Sequence, residues 1–233
     1  MGLFSRFSWK QEANLFLALD IGTEIVKALI FRVDNDQNHA VVIGVGRTFQ
    51  KSGNMQSGAV SDIAGVIESS REAILLAKEQ AGVKRVEQSI IGIAGELVKG
   101  TTTTVHYERV NPEIRIGIPE LKMIIQKVQE KAYERIKRQL AWETGQSDIE
   151  VKLINAAIVD VRIDGYHVAN PVNFQGKDVS MSVFNAYAPM IHLGALQTIA
   201  DELDLDLLSI AAEPYAVARS IEVEDMLDFS AIF

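Results

Sequence analysis

Cysteine is absent from this chain of 233 residues, so the sequence offers neither a disulfide framework nor thiol chemistry. That composition fits a reducing cytoplasm, where we expect the protein to work. Histidine is also scarce. The four histidines are scattered at positions 39, 106, 167 and 192 without the spacing of metal ligands, so a metal site built on histidine is not expected.

Long apolar runs and basic stretches are lacking as well. No run reaches 18 apolar residues, because Asp20, Glu24 and Lys27 interrupt the best candidate, and we expect no bilayer-spanning helix. The net charge of −8 and the lack of a basic stripe argue against nucleic acid as a partner. The hydrophobic content of 48% is typical of a globular protein with one large domain or two small ones.

The chemically most pointed segment runs from Asp20 to Lys27 and reads DIGTEIVK. Apolar runs on both sides predict a hairpin with this segment at its turn. Gly22 would let the backbone approach a phosphate, and Thr23 would offer a hydroxyl. Asp20 would hold magnesium through a water molecule, and Lys27 would bring positive charge to the phosphates. The alternative is an ordinary hairpin whose tight turn needs glycine.

The pattern along the rest of the chain predicts alternating strands and helices. We expect Ser61 to cap a helix that Gly82 ends, and Pro119 to open a long helix that closes near Gly145. Helices are also expected at 192–203 and from Glu213 onward, and the predicted strands are 15–19, 25–33, 40–46, 89–94, 100–110, 151–163, 179–188 and 207–211. This order predicts an α/β fold with a mixed sheet and a crossover helix, interrupted by a small α+β insertion.

Glu213 and Pro214 open the last helix. An acid in the first turn favours the helix dipole, and proline suits the next position, so helix capping is one interpretation of Glu213.

Four stretches together resemble the FtsA family of the actin, Hsp70 and sugar-kinase superfamily. They are 17–23 with Lys27, 58–63, 91–95, and 170–172 with Gly176 and the strand that follows, and they occur in the family's order. The resemblance implies an actin-like (ribonuclease H-like) ATPase lobe with an inserted SHS2-type subdomain. The implied domains are a tail at 1–14, a first actin-like part at 15–85, the insertion at 86–175 and a second part at 176–233, which ends before the second phosphate loop.

The FtsA resemblance implies a cell-division protein at the cytoplasmic face of the inner membrane. It implies binding of ATP and Mg²⁺ by Asp20, Gly22, Thr23 and Lys27. It also implies that Glu213, as the carboxylate of the superfamily's connecting motif, helps to orient the attacking water, which is general-base or positioning chemistry. The implied partners are FtsZ, whose contact in that family belongs to the second lobe that we expect to be missing here, later division proteins recruited by the insertion, and further copies in filaments. Little or no ATPase activity is expected from this lobe alone. Within the insertion, the charged helix 120–142 and the threonine-rich strand are the candidate contact surfaces.

Two other families resemble the chain in part. The opening Met1-Gly2-Leu3-Phe4 before a phosphate loop is similar to PilM, a type IV pilus protein that binds a peptide tail of an inner-membrane partner. The sugar kinases share the phosphate loop, but no sugar-binding acid is evident here. Residues 1–10 carry four large apolar side chains and two cations, which suit either a short interfacial anchor or a tail packed on the domain.

Overall fold

The computed structural model describes residues 15–34, 39–146 and 148–220. It divides into two units, which are described separately: Leu97–Met190 forms the second, and the residues before and after it form the first. The predicted tail at 1–14 and the end of the chain beyond 220 lie outside the described residues. In the part of the chain that is described, no helix is both long enough and apolar enough to cross a membrane.

A mixed five-stranded sheet organises the first unit. Its strand order is β11-β6-β1-β2-β3, with β1 to β3 antiparallel and β1, β6 and β11 parallel. The strands are β1 (Leu15–Ile21), β2 (Ile25–Asp34), β3 (His39–Phe49), β6 (Gln88–Ile93) and β11 (Asp206–Ala212), and a small separate hairpin contains β4 (Met55–Gln56) and β5 (Ala59–Val60). Alternate residues of β1 are buried, as expected for a strand with one face on the core.

Helix α1 (Ile63–Ala81) packs on β2 and β3. The predicted cap differs by one residue. Asp62 is the N-cap, because its carboxylate accepts from the amide of Ala64 at 3.0 Å. The amides of Ser61 and Asp62 both donate to the carbonyl of Asn54. Gly82 ends the helix in the left-handed conformation, as predicted.

The approach of α1 to the sheet is unusually close. A Cβ atom on Gly46 would lie 1.8 Å from the carbonyl oxygen of Ala73, and one on Gly44 would lie 2.2 Å from that of Ala77. Only glycine at these two strand positions lets the helix backbone pack directly on β3.

Two further helices complete the first unit: α3 (Met190–Glu202), which leads to β11, and α4 (Glu213–Ser220), which follows it. Helix α3 begins slightly earlier than the predicted position 192 and buries one side of its surface, Leu193, Leu196, Ile199 and Ala200.

The second unit is a four-stranded antiparallel sheet with a helix on one face. The strand order is β7-β10-β8-β9, and the elements are β7 (Lys99–Glu108), α2 (Ile118–Thr144), β8 (Val151–Ile163), β9 (Tyr166–His167) and β10 (Asp178–Pro189). The strand that opens the unit pairs with the strand that closes it, from Lys99 opposite Tyr187 to Glu108 opposite Asp178.

Helix α2 buries a continuous stripe against this sheet. Val128, Ala132, Ile136 and Leu140 are buried as the periodicity predicts. Near the amino end, Ile124 is buried, while the predicted Leu121 and Ile125 are only partly covered.

The limits of the second unit differ from the predicted insertion at 86–175. Strand β6 belongs to the first sheet, because it pairs with β1 and β11, and β10 belongs to the second sheet, because it pairs with β7 and β8. Both limits therefore lie later in the chain, at Leu97 and Met190. Strand β7 lies at the edge of its sheet, as predicted for the threonine-rich segment.

Candidate functional site

The candidate site lies where three parallel strands of the first unit end. Strands β1, β6 and β11 run in the same direction, so their carboxyl ends meet at one edge of the sheet. Ligands of open α/β sheets commonly bind at this edge. The β1–β2 turn, the turn after β6 and the start of α4 all lie there.

The β1–β2 turn is tight because of its glycine. The amide of Gly22 donates to the carbonyl of Ile25 at 3.2 Å, and a Cβ atom on Gly22 would lie 2.7 Å from that oxygen. Thr23 accepts a hydrogen bond from the amide of Gly58 at 3.3 Å through its hydroxyl oxygen, which leaves the hydroxyl hydrogen able to donate. The turn is thus joined to the β4–β5 hairpin, and its residues Thr23 and Glu24 are exposed.

Asp20 and Lys27 lie directly opposite each other on β1 and β2. Their side chains form an ion pair, with 2.8 Å between Lys27 Nζ and Asp20 Oδ2, and both remain more than one-third exposed. The two predicted ligands of magnesium and phosphate therefore neutralise each other in this structure. A metal ion with a phosphate would provide each of them with a new partner of opposite charge.

Glu213 joins this pair from the far end of the sequence. It begins α4 directly after β11, and its Cγ would lie 3.4 Å from a Cβ atom on Gly92 of β6. Burial raises the pKa of Glu213, the carboxylates of Asp20 and Glu96 raise it further, and the ammonium of Lys27 lowers it. Glu213 is therefore close enough to Asp20, Glu96 and Lys27 to be influenced by their charges.

Glu96 was not anticipated from the sequence. It lies in a short 3₁₀ turn, Gly95–Leu97, directly after β6. The sequence did contain a signal for Glu96. An acid that follows a buried parallel strand by a few residues lies at the same edge of the sheet as the β1–β2 turn. Gly95 admits Pro214 of α4 closely, since a Cβ atom there would lie 2.8 Å from Pro214 Cγ.

The charges at this edge suit a hydrated metal bound together with a phosphate. Asp20, Glu96 and Glu213 contribute three carboxylates, and Lys27 contributes one ammonium group. Within the described ranges, however, no group of three or more His, Cys, Asp or Glu side chains could hold a metal ion directly. Mg²⁺ commonly keeps several waters and uses one or two carboxylates with substrate phosphates, so the residues fit a water-mediated site at Asp20.

One residue of the predicted contact surface on α2 has a structural role instead. Glu120 binds the guanidinium of the buried Arg109, with 2.8 Å between Arg109 Nε and Glu120 Oε1, so this acid supports the unit from within. Trp142, at the other end of the predicted surface, is 85% exposed.

Comparisons with known proteins bear on the fold. No family model and no curated protein matches the chain. Among solved structures, the chain is similar to one from a "PilM-PilN type IV pilus biogenesis complex", with a TM-score of 0.54 and 15% identity over 86% of this chain and 48% of that one. The chain thus spans about half the length of that protein.

Two weaker similarities carry no argument. A diol dehydratase-reactivating factor in nucleotide-free form has a TM-score of 0.38 at 7% identity, covering 88% of this chain and 65% of that one. A glycerol dehydratase reactivase has a TM-score of 0.26 at 20% identity, covering 41% and 15%.

The pilus-complex similarity shows a shared fold, the mixed α/β fold described above. It favours the PilM resemblance over the FtsA resemblance. FtsZ binding, filaments and the SHS2-type description of the second unit gain no support from it.

Proposed function

We propose that this chain is the phosphate-binding lobe of a PilM-like assembly protein of type IV pili. In this proposal it binds Mg²⁺-ATP at the β1–β2 turn and captures a peptide tail of an inner-membrane partner at the cytoplasmic face of that membrane. The observation that carries the nucleotide part is the opposed Asp20 and Lys27 beside the tight glycine turn. The similarity to the PilM chain supports the peptide part.

Each residue of the site has a defined task in this proposal. The ammonium of Lys27 binds phosphate oxygens, and the backbone at Gly22 lets them approach. Asp20 orients a water molecule on Mg²⁺, and Thr23 donates its hydroxyl hydrogen. Glu213, half-buried and with a raised pKa, holds a water molecule near the terminal phosphate in this proposal.

The Asp20–Lys27 pair makes metal and nucleotide binding interdependent. Nucleotide alone would draw Lys27 away and leave Asp20 unpaired, and Mg²⁺ alone would leave Lys27 unpaired. When both bind, each member of the pair exchanges one partner for another. We therefore expect ATP to bind appreciably more tightly with Mg²⁺ present, and this difference to shrink in Asp20→Asn.

Isothermal titration calorimetry tests the site. We expect saturable binding of Mg²⁺-ATP and a loss of at least about tenfold in affinity in Lys27→Ala, because a charge-assisted contact to phosphate is removed. Lys177→Ala is the matched control, since Lys177 forms a comparable exposed ion pair with Glu108 in the second unit. Equal affinities in Lys27→Ala and the unaltered chain would refute the assignment.

Peptide binding distinguishes the proposed pilus function from the cell-division function that the FtsA resemblance implies. Fluorescence anisotropy with the labelled cytoplasmic tail of a pilus inner-membrane partner should show saturable binding, and the carboxy-terminal peptide of FtsZ should not bind. The opposite result would restore the FtsA-like proposal, in which the chain assembles with division proteins and with itself.

A further inference from the structure

A groove of about 460 Å³ lies on the first unit, at the opposite edge of the sheet from the phosphate site. It is bounded by α1, by the connection that precedes β6 and by the turn that precedes β11. Because it is at the amino ends of these parallel strands, a ligand there would not compete with a nucleotide at their carboxyl ends.

Cations dominate the groove, although the chain as a whole carries a charge of −8. Arg71, Lys78 and Arg85 line it, with Asp204 as the single lining acid. Arg85 is paired with Glu87 at 2.6 Å. Among the described residues no carboxylate forms an ion pair with Arg71 or Lys78, and the guanidinium of Arg71 donates only a long bond of 3.3 Å to the carbonyl of Glu202.

Lys78 is the least satisfied of these cations. Partial burial lowers its pKa, and the neighbouring guanidinium of Arg85 lowers it further, while Asp204 opposes the shift. An ammonium group that is partly removed from water beside another cation is stabilised by an anionic partner.

The rest of the groove is apolar. Its floor contains the buried side chains of Ile74 and Val86, and Leu75 on its rim is 54% exposed. A ligand that only carried charge would leave this surface in water, so a fitting ligand combines acidic groups with at least one large apolar side chain.

We propose that this groove binds an acidic, partly apolar peptide segment of a partner protein, with carboxylates on Arg71 and Lys78 and an apolar side chain against Ile74 and Leu75. The proposal goes beyond the nucleotide and pilus assignments and depends on neither.

A flat anionic membrane fits the surroundings less well than a narrow peptide. The exposed acids Glu72, Glu79 and Glu202 neighbour the groove residues in the chain, and the whole molecule is acidic. They would repel an extended anionic surface, whereas a single peptide strand can contact the groove between them.

Fluorescence anisotropy at low ionic strength tests the surface with labelled synthetic peptides on the intact chain. The probes are a heptapeptide of alternating Glu and Leu, the same peptide with Lys in place of Glu, and an all-Glu heptapeptide. We expect the Glu-Leu peptide to bind saturably, the all-Glu peptide to bind more weakly and the Lys-Leu peptide not to bind. Binding of the Lys-Leu peptide, or no binding of any of the three peptides, would overturn the proposal.

Single substitutions localise the binding. Lys78→Gln should weaken the Glu-Leu peptide about tenfold, because a charge-assisted contact is lost. Lys84→Gln is the matched control: Lys84 is exposed, does not line the groove and should leave affinity unchanged. Equal weakening by both substitutions would indicate a non-specific charge effect and would overturn the assignment to the groove.

Asp204→Asn provides a gain of affinity that loss of folding cannot mimic. Asp204 competes with the ligand for Lys78, so its neutralisation should tighten peptide binding about threefold. Its φ of +55° suits asparagine, so the turn should be kept. Unchanged or weaker binding would contradict the proposal. The proposal would also be contradicted if the unaltered chain were a dimer in analytical ultracentrifugation and the Lys78→Gln variant were a monomer. The occupant of the groove would then be a second copy of the chain.

Discussion

Arg109 is the residue whose removal should most disturb the second unit. Its side chain is 3% exposed and binds both oxygens of Glu120, at 2.8 and 3.0 Å. The same guanidinium donates to the carbonyls of Ile114 at 2.8 Å, Gly176 at 3.0 Å and Pro112 at 3.4 Å. One side chain thus joins the loop before α2, the first turn of α2 and the loop before β10.

The expected cost follows from what Arg109→Ala would leave behind. Glu120 would keep a carboxylate that is only 24% exposed. The carbonyls of Ile114 and Gly176 would each lose a donor, whereas the carbonyl of Pro112 would keep the amide of Gly176 at 3.1 Å. Breaking a buried ion pair by removing one partner costs about 3–5 kcal/mol. The partial exposure of Glu120 favours the lower part of that range. We therefore expect a loss of about 3 kcal/mol in the free energy of unfolding of the second unit.

Hydrogen exchange measured by mass spectrometry on the full chain is the suitable assay, because it reports on the second unit separately. Exchange of the β7 and β10 amides should accelerate more than a hundredfold in Arg109→Ala, since 1.4 kcal/mol corresponds to about tenfold. Arg162→Ala is the control: Arg162 is ion-paired with Asp160 at 2.9 Å but is 55% exposed, and its loss should cost less than about 1 kcal/mol. Similar exchange in the two variants would refute the reasoning.

Two other substitutions probe the first unit. Gly46→Ala should destabilise it by about 3 kcal/mol or more in urea unfolding, because a methyl group cannot fit 1.8 Å from the Ala73 carbonyl. A loss below about 1 kcal/mol would mean that α1 can move away cheaply. Glu213→Gln should stabilise the chain at neutral pH. The raised pKa means that the Glu213 carboxyl holds its proton more tightly in the folded chain than in the unfolded chain. The stability of the unaltered chain therefore falls as the pH rises through that pKa. Thermal unfolding should show that the extra stability of the variant shrinks below about pH 4, where the carboxyl of the unfolded chain is also protonated. Extra stability that did not depend on pH would contradict the raised pKa as its cause. In a complete protein the same variant should slow ATP hydrolysis while sparing ATP binding, and unchanged turnover would remove Glu213 from the mechanism.

Local patterns in the sequence predicted most elements of the fold. The strand at Val151–Ile163 and the end of α2 before Gly145 were predicted correctly, because they depend on alternation, on helical spacing and on turn glycines. The N-cap was misplaced by one residue because Ser61 and Asp62 are adjacent and are both good caps, so the local sequence does not choose between them.

The features that the sequence did not predict depend on pairing between strands that are distant in the chain. The pattern of β10 identifies a strand but not the sheet it joins, so the second unit was predicted to end too early. In the site, the turn residues were predicted from their spacing. The direct contact of Asp20 with Lys27 depends on strand register, and the proximity of Glu96 to Glu213 depends on how three strands are arranged.

The pairing of β7 with β10 has a consequence for how the chain folds. More than one hundred residues separate the end of β6 from the start of β11, its neighbour in the first sheet. Once β7 and β10 are paired, the two ends of this long excursion are held together, and the effective loop is several times shorter. Each halving of loop length lowers the entropic cost of closure by about 0.6 kcal/mol. Folding of the second unit should therefore precede docking of β11, and with it the arrival of Glu213 at the candidate site.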